Sequence, residues 1–195
     1  TFLRTIDDSL TTTSWAGYVN ASYSVSDALR VSAGLRYTQD EKKYFRTTST
    51  FSNFAALNGK FAFTAKESWD DVSPMVSVDY QANDDLFFYG RVAKGFKSGG
   101  FNGRANNPGE EQPYNPETVV SYEAGVKSQL FDRRVRANAT VFYNDYQDFQ
   151  ARIGRAGTSP SQPIPSIDFA VQNAGQLEIY VAELELAANP IPGLS

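Results

Sequence analysis

The chain contains neither cysteine nor histidine among its 195 residues. Without cysteine it forms no disulfide and has no thiol chemistry, and without histidine it lacks the commonest metal ligand and general base. A run of about 18 apolar residues, which a membrane-spanning helix needs, is also missing. These absences argue against enzyme chemistry, so we expect no catalytic residue, no cofactor and no bound metal.

An excess of positive charge is missing as well, since the formal net charge is -4 and the isoelectric point is about 4.9. Proteins that bind nucleic acid through its phosphates carry a basic surface, so nucleic acid is not an expected partner. Aromatic residues, in contrast, make up 14% of the sequence, with 11 Tyr and 14 Phe. They suit strands that have one apolar and one wet face.

Side-chain polarity alternates along much of the sequence. Residues 14–25 read SWAGYVNASYSV, with Trp15, Val19 and Tyr23 on one face of a strand and polar residues between them. A period of two predicts a β-strand. Six further segments show the same pattern, with these apolar residues sharing a face: Leu29, Val31, Ala33, Leu35 and Tyr37; Val72, Pro74, Val76, Val78 and Tyr80; Leu86, Phe88 and Val92; Val120, Tyr122, Ala124, Val126 and Leu130; Val135, Ala137, Ala139, Val141 and Tyr143; Tyr180, Ala182, Leu184 and Leu186.

The connections between these segments alternate in length. Short turns are predicted at 26–28, 82–85, 131–134 and 189–193, and long loops at 39–66, 97–116 and 150–167. Outer-membrane barrels have tight turns on the periplasmic rim and long loops on the extracellular rim. Aromatic residues of the apolar faces also fall at the two ends of the strands, as interface girdles do.

A soluble antiparallel sandwich also has alternating strands, and it remains the structural alternative. Sandwich strands usually have about five or six residues, whereas these have roughly ten, and their apolar faces are rich in Ala and Gly. Strand length and the alternation of loop lengths both favour a membrane barrel.

Three segments carry a family resemblance: YGRVAKGFKSGGFN at 89–102, YNPETVVSYEAGVKSQLFDRRVRANATVFYNDYQDFQ at 114–150 and NAGQLEIYVAELELAANPIPGL at 173–194. They resemble the C-terminal half of the barrel in TonB-dependent outer-membrane receptors. The segment WAGYVNASYSVSDALRVSAGLRYTQDEKK resembles the part that precedes them. Such receptors have a barrel of about 22 strands with an N-terminal plug domain.

The alternating segments predict an all-β protein with about seven long antiparallel strands. The resemblance implies that these strands are a transmembrane β-barrel segment too short to close a barrel. Residues 1–195 would be part of the barrel domain, with the plug domain and terminal strands absent. It also implies an outer-membrane location and energy-coupled import of a ferric siderophore or a similarly scarce nutrient. The implied partners are outer-membrane lipid, the imported ligand and the TonB complex, which would act through the missing plug.

Ligand recognition is expected in the long loops, because they lie on the outward rim and combine aromatic with basic side chains. A bulky anionic ligand would meet Arg46, Phe51, Phe54, Arg104, Tyr114 and Arg152. Glu183 and Glu185 share a strand face as glycosidase carboxylates do, but charged residues facing a wet lumen explain them better. The alternative functions are a passive porin or adhesin barrel and a soluble carbohydrate-binding β-sandwich.

Overall fold

The computed structural model describes residues 2–55, 58–103, 105, 111–159 and 162–189. For 155–159 and 162–168 it describes the backbone alone. Within these ranges regular structure is β throughout, and no helix is long and apolar enough to cross a membrane. The strands are β1 Phe2–Ser24, β2 Leu29–Ser52, β3 Gly59–Asn83, β4 Leu86–Lys97, β5 Gly100–Phe101, β6 Pro113–Tyr114, β7 Glu117–Leu130, β8 Val135–Gln147, β9 Gln150–Ser159, β10 Gln162–Asn173 and β11 Leu177–Ala188.

Seven strands form one antiparallel sheet in the order β1-β2-β3-β4-β7-β8-β11. The remaining strands form two small hairpins, β9 with β10 and β5 with β6. Among the described residues, β1 pairs only with β2 and β11 only with β8, so the sheet has two open edges. The structure confirms the predicted open, seven-stranded antiparallel wall.

The strand register places the predicted apolar residues on one continuous face. Val31 lies opposite both Tyr23 and Val78, and Tyr143 lies opposite both Tyr122 and Tyr180. Residues directly opposite on antiparallel strands point to the same side of the sheet, so a single offset in register would have broken this face. Phe88 pairs with Val126 and Tyr80, which confirms the predicted register of β4.

This apolar face has no second layer of described structure packed against it. Val19 and Tyr180 are 64% and 69% exposed, and Tyr44 and Ala105 are the only buried hydrophobic residues in the described part of the chain. A β-sandwich buries the apolar faces of two sheets against each other. The sandwich alternative is therefore wrong, because the apolar face of this sheet is exposed.

Three of the predicted tight turns are confirmed. Between β1 and β2, the backbone N–H of Val25 donates to the carbonyl of Leu29, and the Ser26 hydroxyl accepts from the N–H of Leu29. The turn after β3 is closed by the Asp85 N–H, which donates to the Asn83 side chain. Residues 131–133 have φ between 54° and 63°, the left-handed conformation of a tight reversal. The turn predicted at 189–193 lies beyond the described residues after position 189.

For two of the three long connections, the prediction of a loop is wrong. Most of the stretch 39–66 is strand, because β2 and β3 continue as a paired hairpin from Thr38 and Asp71 out to Thr50 and Gly59. Residues 150–167 likewise form most of the β9–β10 hairpin. In both stretches both faces carry polar residues, so the alternation that predicts a strand is lost while backbone pairing continues. The loop at 97–116 holds only the short β5–β6 hairpin among its described residues.

Candidate functional site

The connection between β4 and β7 folds back onto the polar face of β2 and β3, at the end of the sheet that carries the long hairpins. The ring of Phe101 stacks on Tyr44 with centroids 6.1 Å apart and lies 6.2 Å from the Trp69 indole. Tyr44 also meets the edge of Phe63 at 5.4 Å and is only 5% exposed. The sheet therefore has a small aromatic core on its polar face, and the connection covers it.

Two cations of β2 hold the backbone of this connection. The Lys42 ammonium donates to the Gly99 carbonyl at 2.6 Å and lies 5.6 Å from the Trp69 ring centroid. The Arg46 guanidinium donates to the Gly103 carbonyl at 2.9 Å and to the Asp8 carboxylate at 2.7 Å. Hydrogen bonds from charged donors are stronger than neutral ones, so these two side chains fix where the connection lies.

Glycine is required where the connection touches its neighbours. A Cβ at Gly99 would lie 2.6 Å from the Trp69 indole, and one at Gly100 would lie 2.5 Å from the Tyr114 hydroxyl. Real side chains do not come so close, so only glycine permits this approach. The same packing removes water from the titratable groups: burial lowers the pKa of the Lys42 ammonium and raises the pKa of the Tyr114 hydroxyl.

A polar cluster joins the base of this connection to the β9–β10 hairpin. The Glu117 carboxylate is buried, accepts from the Gln150 backbone N–H at 2.7 Å and lies 3.6 Å from the Lys97 ammonium. The Gln150 side-chain amide donates to the carbonyls of Ser98 and Asn115, each at 3.0 Å. The Asn173 amide donates to the same Asn115 carbonyl at 3.0 Å.

This cluster could not be predicted as a structural unit from the sequence. Asn115 and Glu117 belong to the YNPE segment that supports the family resemblance, but nothing in the spacing shows that Gln150 and Asn173 meet them. Gln150 and Asn173 are partners in the pair at the base of the β9–β10 hairpin, next to Asn115 and Glu117. A strand prediction for 150–173 would have been the signal.

The predicted ligand-binding residues lie in separate parts of the long-hairpin end. Arg46 is 3% exposed on the polar face, while Phe51 and Phe54 are 59% and 75% exposed near the tip of the β2–β3 hairpin. Tyr114 lies in β6 against Gly100, and exposed Arg152 in β9 stacks over Phe169 at 4.6 Å. Arg104 lies outside the described residues. Their role in binding stays a prediction.

Farther from the hairpins, the polar face carries paired charges. Glu185 lies 3.0 Å from the Arg136 guanidinium and accepts from the Asn138 amide at 2.9 Å. In the described part of the chain no cluster of three His, Cys, Asp or Glu side chains is arranged to hold a metal ion. The long-hairpin end, in contrast, offers aromatic faces, cations and backbone carbonyls, which suit non-covalent binding.

Comparison with known proteins places this geometry in a family. The family model described as TonB dependent receptor-like, beta-barrel, matches residues 3–194. The pesticin receptor of Yersinia enterocolitica is 26% identical over 180 residues, and that of Yersinia pestis is 27% identical. Each alignment covers 92% of this chain and 24% of the relative, so the chain spans about a quarter of the relatives' length.

Solved structures show the same fold. The ferric yersiniabactin uptake receptor FyuA from Yersinia pestis superimposes with a TM-score of 0.79 at 24% identity, covering 97% of this chain and 26% of that one. The copper transporter OprC superimposes with a TM-score of 0.70 at 13% identity, covering 94% of this chain and 28% of that one. The chain therefore belongs to the β-barrel family of TonB-dependent receptors, which lie in the outer membrane of Gram-negative bacteria.

Proposed function

We propose that the chain forms part of the barrel wall of an energy-coupled importer that carries a ferric siderophore or a similarly scarce nutrient. The observation that carries this proposal is the family match over residues 3–194. The printed names of the relatives support the ligand class, since they are receptors for pesticin and for ferric yersiniabactin. The mechanism is binding and passage, with no bond made or broken by this chain.

The two faces of the sheet have different partners in this proposal. The exposed apolar face, which includes Val19 and Tyr180, contacts the lipid of the outer membrane. The opposite face, with the Arg136–Glu185 ion pair, lines the wet interior. A plug domain elsewhere in the whole receptor fills that interior and receives energy from the TonB complex. Residues 1–195 are thus one part of a longer barrel domain, in keeping with coverage of 24% of the pesticin receptor.

The long-hairpin end is the proposed ligand entrance. Phe51, Phe54 and Arg152 are exposed there, and Tyr114 lies within the folded-back connection, in β6. Exposed aromatic faces and guanidinium groups suit a bulky anionic chelate, because stacking and charge-assisted hydrogen bonds both contribute. Arg46 is buried and binds Asp8 and the Gly103 carbonyl, so its proposed contribution is to position the connection at the entrance.

Uptake of radioactive iron tests the transport proposal. Cells that express the whole receptor and lack other iron receptors would be given ferric yersiniabactin first, then other ferric siderophores. We expect saturable uptake of one chelate that disappears when TonB is deleted. A passive porin would instead give unsaturable uptake that persists without TonB, and an adhesin would give none.

The ligand residues are tested by affinity measurements on the same receptor. Arg152→Ala and Tyr114→Ala are expected to weaken binding of the transported chelate, about 10-fold each if one charge-assisted contact is lost. The matched control is Arg133→Ala, which removes a similarly exposed arginine, paired with Asp85 at the tight-turn end. Unchanged affinity in both test variants would show that Arg152 and Tyr114 do not bind the chelate. The transport proposal would be unaffected.

A further inference from the structure

A groove crosses the apolar face of the sheet from β3 to β11. Its floor is one row of cross-strand neighbours, Val78, Gly90, Ala124, Val141 and Ala182, each opposite the next in the register. The row contains a glycine and two alanines, so the floor lies lower than the bulky rows around it. The groove has a volume of about 860 Å³ and a predominantly apolar lining. Five strands spaced about 4.8 Å apart make it roughly 19 Å long.

Three stacked tyrosines form the wall of the groove on the side of the long hairpins. The rings of Tyr122 and Tyr143 are 5.9 Å apart, and those of Tyr143 and Tyr180 are 4.6 Å apart, both nearly parallel. The Tyr143 hydroxyl donates to the Glu178 carboxylate at 2.8 Å, toward the long-hairpin end. The stack is therefore held in place, with apolar rings along the groove and polar groups at its outer rim.

Such a wall matches the boundary between hydrocarbon and headgroups. Tyrosine is enriched at membrane interfaces because its ring is apolar and its hydroxyl is polar. The groove begins on the hydrocarbon side of this row, so it lies in the leaflet nearer the long hairpins. The side chains of the groove are also too small to fill it, and an empty groove would lack dispersion contacts along its floor.

We propose that this groove binds one acyl chain of a lipid from the outer leaflet. The inference rests on the proposed contact of the apolar face with lipid, and it adds a defined site to that contact. A flexible acyl chain can lie along a narrow row of small residues. The flat surface of a partner protein would contact only the bulkier rows on either side of it. The groove is also continuous with the rest of the lipid-facing surface.

Photocrosslinking tests the site directly. The whole receptor is placed in nanodiscs of phosphatidylcholine that carries a diazirine on its acyl chain, and the labelled positions are mapped by mass spectrometry. We expect labelling at Gly90, Ala124 and Ala182 to exceed labelling of the apolar face of β1 and β2 several-fold. Ala124→Leu fills the groove and is expected to reduce that excess to the background level.

Ala182→Leu serves as a second filling variant, so the test does not depend on the folding of a single substituted receptor. Ala137→Leu is the matched control, because Ala137 faces the same side in β8, opposite Leu186 and outside the groove. It is expected to leave the excess unchanged. Folding of every variant is checked by its circular-dichroism strand signal.

Even labelling over the whole apolar face would overturn the groove site while leaving the proposed lipid contact intact. Absence of labelling from the entire face would overturn both. Crosslinks between two receptor copies at the groove, with no lipid attached there, would show that a second copy covers it and would overturn the acyl-chain assignment.

Discussion

At the scale of single residues, Gly125 shows how tightly the polar face is packed. Tyr89 lies directly opposite it, and a Cβ at Gly125 would lie 2.5 Å from the Tyr89 ring. The same ring has the Lys127 ammonium 5.6 Å from its centroid and a hydroxyl 3.0 Å from that of Thr140. An aromatic ring covering a cross-strand glycine protects the backbone from water and fixes the register.

Gly125→Ala is expected to destabilise the receptor by about 1–3 kcal/mol, because the Tyr89 ring must leave its place or strain the two strands. Chemical unfolding of the whole receptor in detergent measures the loss. Gly90→Ala is the control on the same two strands, since its nearest neighbour, the Glu123 carbonyl, is 4.0 Å from the new Cβ. Equal stability of the two variants would mean that the ring does not rest on Gly125.

Lys42 gives the entrance a pH-dependent contribution to stability. Burial lowers its pKa in the folded protein below the 10.5 of an unperturbed lysine, the nearby Lys97 lowers it further, and Asp40 acts in the opposite direction. Between the lowered value and 10.5 the unfolded chain holds a proton that the folded chain has released. The free energy of unfolding therefore rises with pH in this window.

Comparison with Lys42→Met isolates that contribution. The difference in unfolding free energy, wild type minus variant, is expected to increase as pH approaches 10.5. Lys43→Met is the control, because it removes the neighbouring ammonium of β2, which is 57% exposed in its contact with Glu41. A difference that falls with pH would show that the ammonium is stabilised in the folded entrance instead.

At the scale of strands, the sequence was most informative where the two faces of the sheet differ in polarity. The residues from Trp15 to Tyr37 alternate cleanly, so both the strands and their register could be predicted. Beyond Tyr37 the same two strands carry polar residues on both faces, so periodicity no longer marks them. Backbone pairing continues there because hydrogen bonding between strands does not depend on alternation.

The entrance could be predicted only in outline. Aromatic and basic residues near the long connections indicated a binding region, but the contact of Phe101 with Tyr44 and Trp69 depends on how the β4–β7 connection folds back. These residues are far apart in sequence, and no local pattern relates them. The aromatic core and the Glu117 cluster therefore required the three-dimensional structure.

Phe101→Ala is expected to loosen the folded-back connection, because it removes the ring between Tyr44 and Trp69 and leaves two cationic contacts to hold it. Hydrogen exchange of the backbone at 98–103 in the whole receptor should become at least several-fold faster. Phe54→Ala is the control, since Phe54 is 75% exposed at the hairpin tip. Unchanged exchange in the Phe101 variant would show that Lys42 and Arg46 alone fix the connection.

At the scale of the whole molecule, the described sheet is an open wall. β1 presents one unpaired edge of 23 residues, and β11 presents another of 12 residues. Long unpaired edges are templates for pairing with other chains. The exposed apolar face is a second surface that favours aggregation, because its contact with water is unfavourable.

The isolated chain of residues 1–195 is accordingly expected to aggregate when expressed in plain buffer. Light scattering and size-exclusion chromatography after refolding measure this, with the whole receptor refolded into detergent as the control. A monomeric isolated chain with a sharp thermal transition would contradict the description of β1 and β11 as edges that need partners.

In the proposed receptor, one face of this sheet meets lipid and the other meets water. Because the chain has no cysteine, single cysteines can be placed at successive positions 120–127 of β7 in a whole receptor freed of other cysteines, then spin-labelled in bilayers. Even positions, which include Tyr122 and Ala124, should be more accessible to oxygen, and odd positions, which include Glu123 and Lys127, to a water-soluble nickel complex. Accessibility without a period of two, or with the opposite phase, would contradict this assignment of the two faces.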